Sequence, residues 1–157
     1  MNGVLVLDKP AGFTSFDAVA VLRRLTRERK IGHTGTLDPM ATGVLPLLLG
    51  CATRANALMP DTDKSYEAGF LFGYATDTQD TTGKTVARSA RRAARAEVEA
   101  ALDRFRGEIL QVPPMFSALS VGGKRLYDLA RAGVEVERQP RPVTVYRLVL
   151  LSFDEAA

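Results

Sequence analysis

The chain has one cysteine, one histidine and no tryptophan among its 157 residues. A single thiol, Cys51, excludes an intrachain disulfide and suits a reducing compartment, so a cytoplasmic location is expected. One histidine and one cysteine fall short of the ligands a zinc site takes, and no metal is expected. Long apolar runs are also missing. The best stretch, Val44 to Leu49, is interrupted by Pro46 and ends at Gly50, well below the roughly 20 residues of a membrane span. The opening GVLVLDKPAG lacks the basic start and long apolar middle of a secretory signal. What is present is an ordinary globular composition, 46% hydrophobic and 25% charged. Its length suits one domain able to bury a core without cross-links.

Net charge is only +3, but the basic residues are unevenly spread. Arg23, Arg24, Arg27, Arg29 and Lys30 crowd one stretch, and Arg88, Arg91, Arg92 and Arg95 another. Such clusters suit phosphates; they equally suit a solvated helix face.

Local signals outline the elements. Val4 to Leu7 read as a short buried strand that stops at the Lys9-Pro10-Ala11-Gly12 turn. Thr14 or Ser15 caps the next helix, with Asp17 placed to complete a capping box from Thr14. Phe16, Val19, Leu22 and Leu25 form its apolar stripe, and its arginines point largely outward. Gly43 to Leu49 read as a buried strand, Ala52 to Met59 as a helix, and Tyr66 to Phe72 as an alternating strand. Asp80-Thr81-Thr82-Gly83 is a hairpin turn. Ala96 to Phe105 form a second clear helix, stopped by Gly107. Phe116 to Val121 and Lys124 to Leu126 flank the two-residue turn Gly122-Gly123. Tyr127 to Ala132 make a short helix ending at Gly133, and Pro142 to Phe153 a final β-rich run. Strands and hairpins mixed with single helices indicate an α+β fold, with a mixed, mostly antiparallel sheet and flanking helices.

Two stretches invite a chemical reading. TGKT at 82–85 imitates a phosphate-binding loop, but the first glycine of that motif would fall at Thr78, and no strong helix follows. It is rejected. GHTGTLDP at 32–39 concentrates small and special residues. Gly32 and Gly35 permit positive φ and close backbone approach, so backbone amides there suit an anion. Asp38 precedes Pro39, which restricts the aspartate backbone. A carboxylate so restrained, without a histidine partner in a triad, suits a nucleophile or a general base. It equally suits an Asp-Pro turn whose side chain bonds nearby amides. His33 suits a stacking group, a base or a hydrogen-bonded surface imidazole.

Five segments then appear in order: LDKPAGFTS at 7–15, GHTGTLDPMATGVLPLLLG at 32–50, DKSYEAGFLFGYATDTQDTTG at 63–83, VPPMFSALSVGGKRLYDLARAG at 112–133 and RPVTVY at 141–146. Together they resemble the N-terminal catalytic part of the bacterial TruB-type tRNA pseudouridine synthases, from Gly3 to about Leu151. The resemblance implies a pseudouridine synthase fold and isomerisation of uridine 55 in the T-loop of tRNA, with no cofactor. It implies that Asp38 is the catalytic aspartate and that Tyr66 packs on the target base. It further implies that His33 fills the space left in the T-loop by flipped bases. Lys9 and Pro10 match the first family motif, whose expected role is to position the active-site loop. Thr76, Asp77 and Asp80 match a third segment, where capping of a turn is the preferred reading.

The resemblance also implies that the family chain continues past Ala157, with a basic residue facing the aspartate and further RNA-binding structure. Residues 1–157 are therefore expected to be the N-terminal part of a catalytic domain. The strand around Val143 to Leu151 is expected to present an unpaired edge and to favour self-association. The expected partner is the T-arm of tRNA, with no membrane. Two rival readings remain: a non-catalytic RNA-binding or RNA-folding module, and a small enzyme with a backbone anion site at Gly32 to Gly35.

Overall fold

Alternation along GVLVLDK sets Leu5, Leu7 and Lys9 on one side of a strand and Val4 and Val6 on the other. The computed structural model describes residues 1–59, 63–117 and 119–154, and this stretch forms strand β1, Gly3–Lys9. Strands β2, Ile31–His33, and β3, Gly43–Leu49, complete an antiparallel sheet of order β1-β3-β2. Leu5 stands opposite Leu47, Leu7 opposite Leu45, and Ile31 opposite Leu49. β3 is central, so Leu45, Leu47, Leu48 and Leu49 are all buried. The expectation of a buried first strand is corrected: Val4 and Val6 are 63% and 65% exposed. They lie on the sheet face opposite the Leu45, Leu47 and Leu49 face that packs against the helix.

That helix, α1, spans Ser15–Thr26. The Asp17 amide donates to the Thr14 hydroxyl at 3.0 Å, and the Thr14 amide donates back to the Asp17 carboxylate at 2.8 Å. This is the expected capping box. The Thr14 hydroxyl and then its backbone N–H hold the Asp17 carboxyl below its ordinary range. Ser15, Ala18 and Val19 are buried and Leu22 packs beside them, whereas Phe16 and Leu25 are exposed. The buried stripe runs i, i+3, i+4, i+7 from Ser15 rather than from Phe16. Arg23 is not outward either. Its guanidinium lies over the Phe16 ring and donates to the Ile31 carbonyl at 3.1 Å.

Residues Gly50–Leu58 form a 3-10 helix in place of the expected α-helix from Ala52 to Met59. The Cys51 amide donates to Asn2 Oδ1 at 2.8 Å. Gly50 is left-handed at φ 59°, and a Cβ there would collide with Asn2 and the Met1 carbonyl. Only Gly50 of this run is buried, so it adds no apolar face to the core.

Two compact units divide the chain, Met1–Tyr66 and Glu67–Ala157. In the second, β4 (Tyr74–Thr76) and β5 (Thr85–Arg88) form a hairpin. Helix α2, Arg95–Leu102, runs into a 3-10 turn, Asp103–Phe105. β6 (Gly107–Gln111) pairs with β9 (Arg141–Val145), and β7 (Ser120–Val121) with β8 (Lys124–Arg125). Gly122 and Gly123 both have positive φ, as the two-residue turn between β7 and β8 demands. Helix α3, Leu126–Arg131, stops at Gly133, also left-handed.

The fold is α+β, and every strand pairing among the described residues is antiparallel. Three expectations for the second half are corrected. Residues 66–72 form no strand: alternation alone does not satisfy backbone amides, and no described neighbour pairs with them. The final β-rich run reduces to β9, after which the chain is held by Arg106, whose guanidinium donates twice to the Leu148 carbonyl. The strand expected over Phe116 to Val121 reduces to Ser120–Val121; Ala118 lies outside the described residues, as does Glu155 to Ala157. No helix of the described residues is long and apolar enough to cross a membrane.

The β4–β5 turn is built on carboxylates. Asp80 Oδ1 accepts from the Thr82 amide at 2.8 Å and from the Thr82 and Thr78 hydroxyls at 2.6 and 2.7 Å. Asp77 accepts the Lys84 amide at 2.8 Å, and Thr76 donates to the Asp80 carbonyl. A Cβ on Gly83 would strike Thr78 and Asp77. The Thr82 hydroxyl, above all, holds the Asp80 carboxyl below its ordinary range, with the Thr78 hydroxyl adding to it. A depressed folded-state pKa contributes stability above the ordinary carboxylate range and loses it as pH falls through the lowered value. Protection of the Thr82 amide, corrected for intrinsic exchange, is therefore expected to fall on acidification through that window. Asp80→Asn should be less protected at neutral pH and flat across the same range. Identical profiles for the two proteins would remove Asp80 from this role.

Candidate active site

Residues 34–42 connect β2 to β3, and almost none of their side chains can hold them in place. The anchors come from the other end of the first unit. Lys9, the last residue of β1, is fully buried. Its Nζ donates to the carbonyls of Phe13 at 2.6 Å, Pro10 at 3.0 Å and Pro39 at 3.4 Å. An ammonium has three donors, and here each meets an acceptor, which makes the burial tolerable. The Gly12 amide also donates to the Pro39 carbonyl, at 2.8 Å. Gly12 adopts φ 83°, a conformation that strains any side chain. The KPAG turn and the LDP turn are thus joined through one proline carbonyl.

On the other side of Asp38, Ser15 does equivalent work. Its hydroxyl accepts the Leu37 amide at 2.9 Å and donates to the Leu37 carbonyl at 3.3 Å. Ser15 is buried at the start of α1, and the Leu37 side chain packs on the hydrophobic cluster. Within the loop, the Ala41 amide donates to the Asp38 carbonyl at 3.0 Å, closing a turn with Pro39 at its second position. At the loop's start, the Thr34 amide reaches the Pro46 carbonyl of β3 at 3.2 Å.

Asp38 therefore has both neighbours fixed and its own carbonyl used, while its side chain is exposed. Among the described residues nothing donates to its carboxylate. The turn reading, in which that carboxylate bonds nearby amides, is not realised; the main chain alone makes the turn. An exposed carboxylate on a pinned backbone can accept a proton or attack an electrophile without first breaking an internal bond.

His33 ends β2 opposite Leu47 and is half-buried, and its Nδ1 is buried without a hydrogen-bond partner among the described residues. It shares the β2–β3 segment with Asp38. Tyr66 lies outside that segment, 71% exposed in a stretch without regular structure, and no hydrogen bond joins it to His33 or Asp38. Gly32 and Gly35 do not adopt positive φ, and a Cβ on either would meet open space. This corrects the expectation of a backbone anion cradle, since Gly32 is committed to the β2 ladder. No group of three or more potential metal ligands occurs among the described residues. Ser15 went unrecognised as a loop clamp. Its only sequence signal was a place near a helix cap, and its partner lies 22 residues away.

The sequence profile described as "TruB family pseudouridylate synthase (N terminal domain)" matches residues 23–157. A "tRNA pseudouridine synthase B" from Symbiobacterium thermophilum is 56% identical over 154 residues, covering 98% of this chain and 52% of that protein. Its namesake from Geobacillus kaustophilus is 54% identical over 153 residues, covering 96% and 54%. That from Azoarcus sp. (strain BH72) is 52% identical over 153 residues, covering 98% and 51%. The chain thus spans about half the length of the curated relatives it matches. Among solved structures, one titled "Crystal Structure of a Cbf5-Nop10-Gar1 Complex" is similar, with TM-score 0.61 and 26% identity over 98% of this chain and 36% of that one.

Lys9→Met keeps an apolar stem but removes the donor shared by three carbonyls. Unpaired buried acceptors cost about 1–3 kcal/mol, and that loss is expected in the unfolding free energy. Chemical denaturation of the two proteins, followed by backbone amide shifts around Pro39, checks it. An unchanged midpoint with unchanged shifts would show that Lys9 does not hold the loop.

Proposed function

The chain belongs to the TruB family of pseudouridylate synthases, and from that premise we propose that the protein carrying it converts uridine 55 in the T-loop of tRNA to pseudouridine, with Asp38 as the catalytic aspartate. The observation that carries the reading is the Asp38 carboxylate itself: exposed, unbonded, and seated between two clamped residues. The rest of the site is built to hold that one group still.

The reaction is an isomerisation. The bond between uracil N1 and ribose C1′ breaks, the base turns, and C5 bonds to the same C1′. The C5 proton leaves and N1 takes one up, so atoms balance without a co-substrate or a cofactor. Asp38 supplies the carboxylate at the glycosidic bond. Such chemistry inside a structured RNA requires the nucleotide to leave its stack. In this reading Tyr66 offers an aromatic face to the extruded base, and His33 occupies the space that the base vacates. The half-buried imidazole, on the same β2–β3 segment as Asp38, supports that assignment because part of its ring remains open to a neighbouring base. The T-arm is the partner, and the activity belongs to the whole protein rather than to these residues alone.

Asp38→Asn preserves shape and removes the charge. Turnover on T-arm RNA, measured by release of the C5 proton, is expected to fall by about 10²–10⁴-fold or more, with RNA affinity within a few-fold. Activity near the wild-type level would dismiss Asp38 as the essential group. RNA affinity with no turnover in the wild-type protein would instead favour a docking role.

Tyr66→Phe retains the ring and Tyr66→Leu loses it. Stacking of a base on an aromatic ring is worth about 1–3 kcal/mol, so single-turnover rates for leucine should fall about 5- to 150-fold below those for phenylalanine. Equal, near-wild-type rates would remove Tyr66 from the base site.

A further inference from the structure

The two arginine-rich stretches have different electrostatic fates. In the second unit, Arg91 pairs with Glu97, and Arg95 with Glu99 at 2.9 Å, so α2 neutralises part of its own cluster. In the first unit, Arg23 turns inward to Ile31, but Arg24, Arg27, Arg29 and Lys30 are exposed and their side chains have no partner among the described residues. The single acid within that stretch, Glu28, is committed elsewhere: its carboxylate takes the Met1 amine at 2.7 Å and the Lys30 amide at 3.0 Å. Those bonds, the amine foremost, hold the Glu28 carboxyl below its ordinary range.

The backbone that carries these cations is fixed at nearly every step. The Thr26 hydroxyl donates to the Leu22 carbonyl at 2.8 Å and accepts the Glu28 amide at 3.2 Å. The Gly50 amide donates to the Lys30 carbonyl at 2.7 Å. Arg27 holds the cap of α1 at φ 57°, a left-handed position that glycine ordinarily fills. A strained, exposed, unpaired arginine on a rigid turn is the sort of feature found where a ligand binds. The helix dipole accounts for a basic residue in the last turn, at about 0.3–1 kcal/mol, and so explains Arg24. It does not explain Arg29 and Lys30, which lie past the helix. Lys30 leads straight into β2, and His33 follows about 10 Å further along that strand.

We propose that Arg24, Arg27, Arg29 and Lys30 form a preorganised phosphate-binding surface for the RNA whose nucleotide is presented to the Asp38 loop. This rests on the reading of RNA as substrate and adds where its backbone is gripped. Because the turn is already ordered, binding costs little conformational entropy beyond the four side chains.

The test is R24Q/R27Q/R29Q/K30Q in the full-length protein carrying this chain, with a T-arm stem-loop RNA as probe. Affinity is measured across a range of potassium chloride. Each lost phosphate contact should reduce the log–log salt slope by about 0.7–0.9, so loss of all four should lower it by about 3–3.5. The comparison variant R91Q/R95Q, at the two arginines paired with glutamates, should keep the wild-type slope. A wild-type slope in the fourfold variant, with circular dichroism unchanged, would overturn the surface, as would an equal fall in both variants. Should the fourfold variant misfold, R24Q/R29Q gives the same comparison with about half the change. Failure here would leave Asp38 untouched, since the turnover of Asp38→Asn is read separately. A wild-type protein without affinity for the RNA would overturn both.

Discussion

One buried ammonium organises the first unit. Lys9 sits at the end of β1 where the inward face of the sheet would otherwise take an aliphatic residue, and its Nζ must find acceptors or the site cannot be dry. The acceptors are the carbonyls of Pro10, Phe13 and Pro39. Two of these belong to the turn that launches α1, and the third to the loop that carries Asp38. A change in any of those three backbones would expose the cost of an unpaired charge, so the turn, the helix start and the loop are specified together. Pro39 serves this arrangement doubly: it lacks an amide of its own, and its carbonyl receives both Lys9 and Gly12.

The same division recurs throughout the candidate site. Lys9 and Ser15 spend their hydrogen bonds on backbone, and the carboxylate between the clamped residues is left uncommitted. Ser15 satisfies both backbone groups of Leu37, the Leu37 side chain joins the core, and Asp38 next to it stays open to solvent. A rigid frame around an uncommitted carboxylate holds that group in one pose. His33 differs: its main chain is paired with β3, but its Nδ1 is buried without a hydrogen-bond partner among the described residues.

Charge obeys a related rule. Arg23 and Arg106 work as structural donors to carbonyls, and Arg91 and Arg95 lie beside glutamates. Among the described residues, the exposed cations after α1 have neither use. Exposed ion pairs contribute little to stability, so the distinction bears less on the fold than on what the surface can attract.

Several features were determined by sequence alone because their hydrogen bonds span only a few residues. The Thr14–Asp17 capping box, the Gly122-Gly123 turn, the α3 stop at Gly133 and the carboxylate-bonded turn around Asp80 are of this kind. The motif around Asp38 pointed to the family only through resemblance, together with four other segments in order. Tertiary structure decided the rest. It turned α1 so that Ser15 rather than Phe16 faces the sheet, and it left 66–72 without a strand partner among the described residues. It also drew Lys9 and Ser15 onto a loop more than twenty residues away, at |i−j| of 30 and 22. Periodicity reports which residues can share a face, but not which face finds a partner. Contacts between segments depend on where the whole chain buries its apolar surface, and no local pattern encodes that.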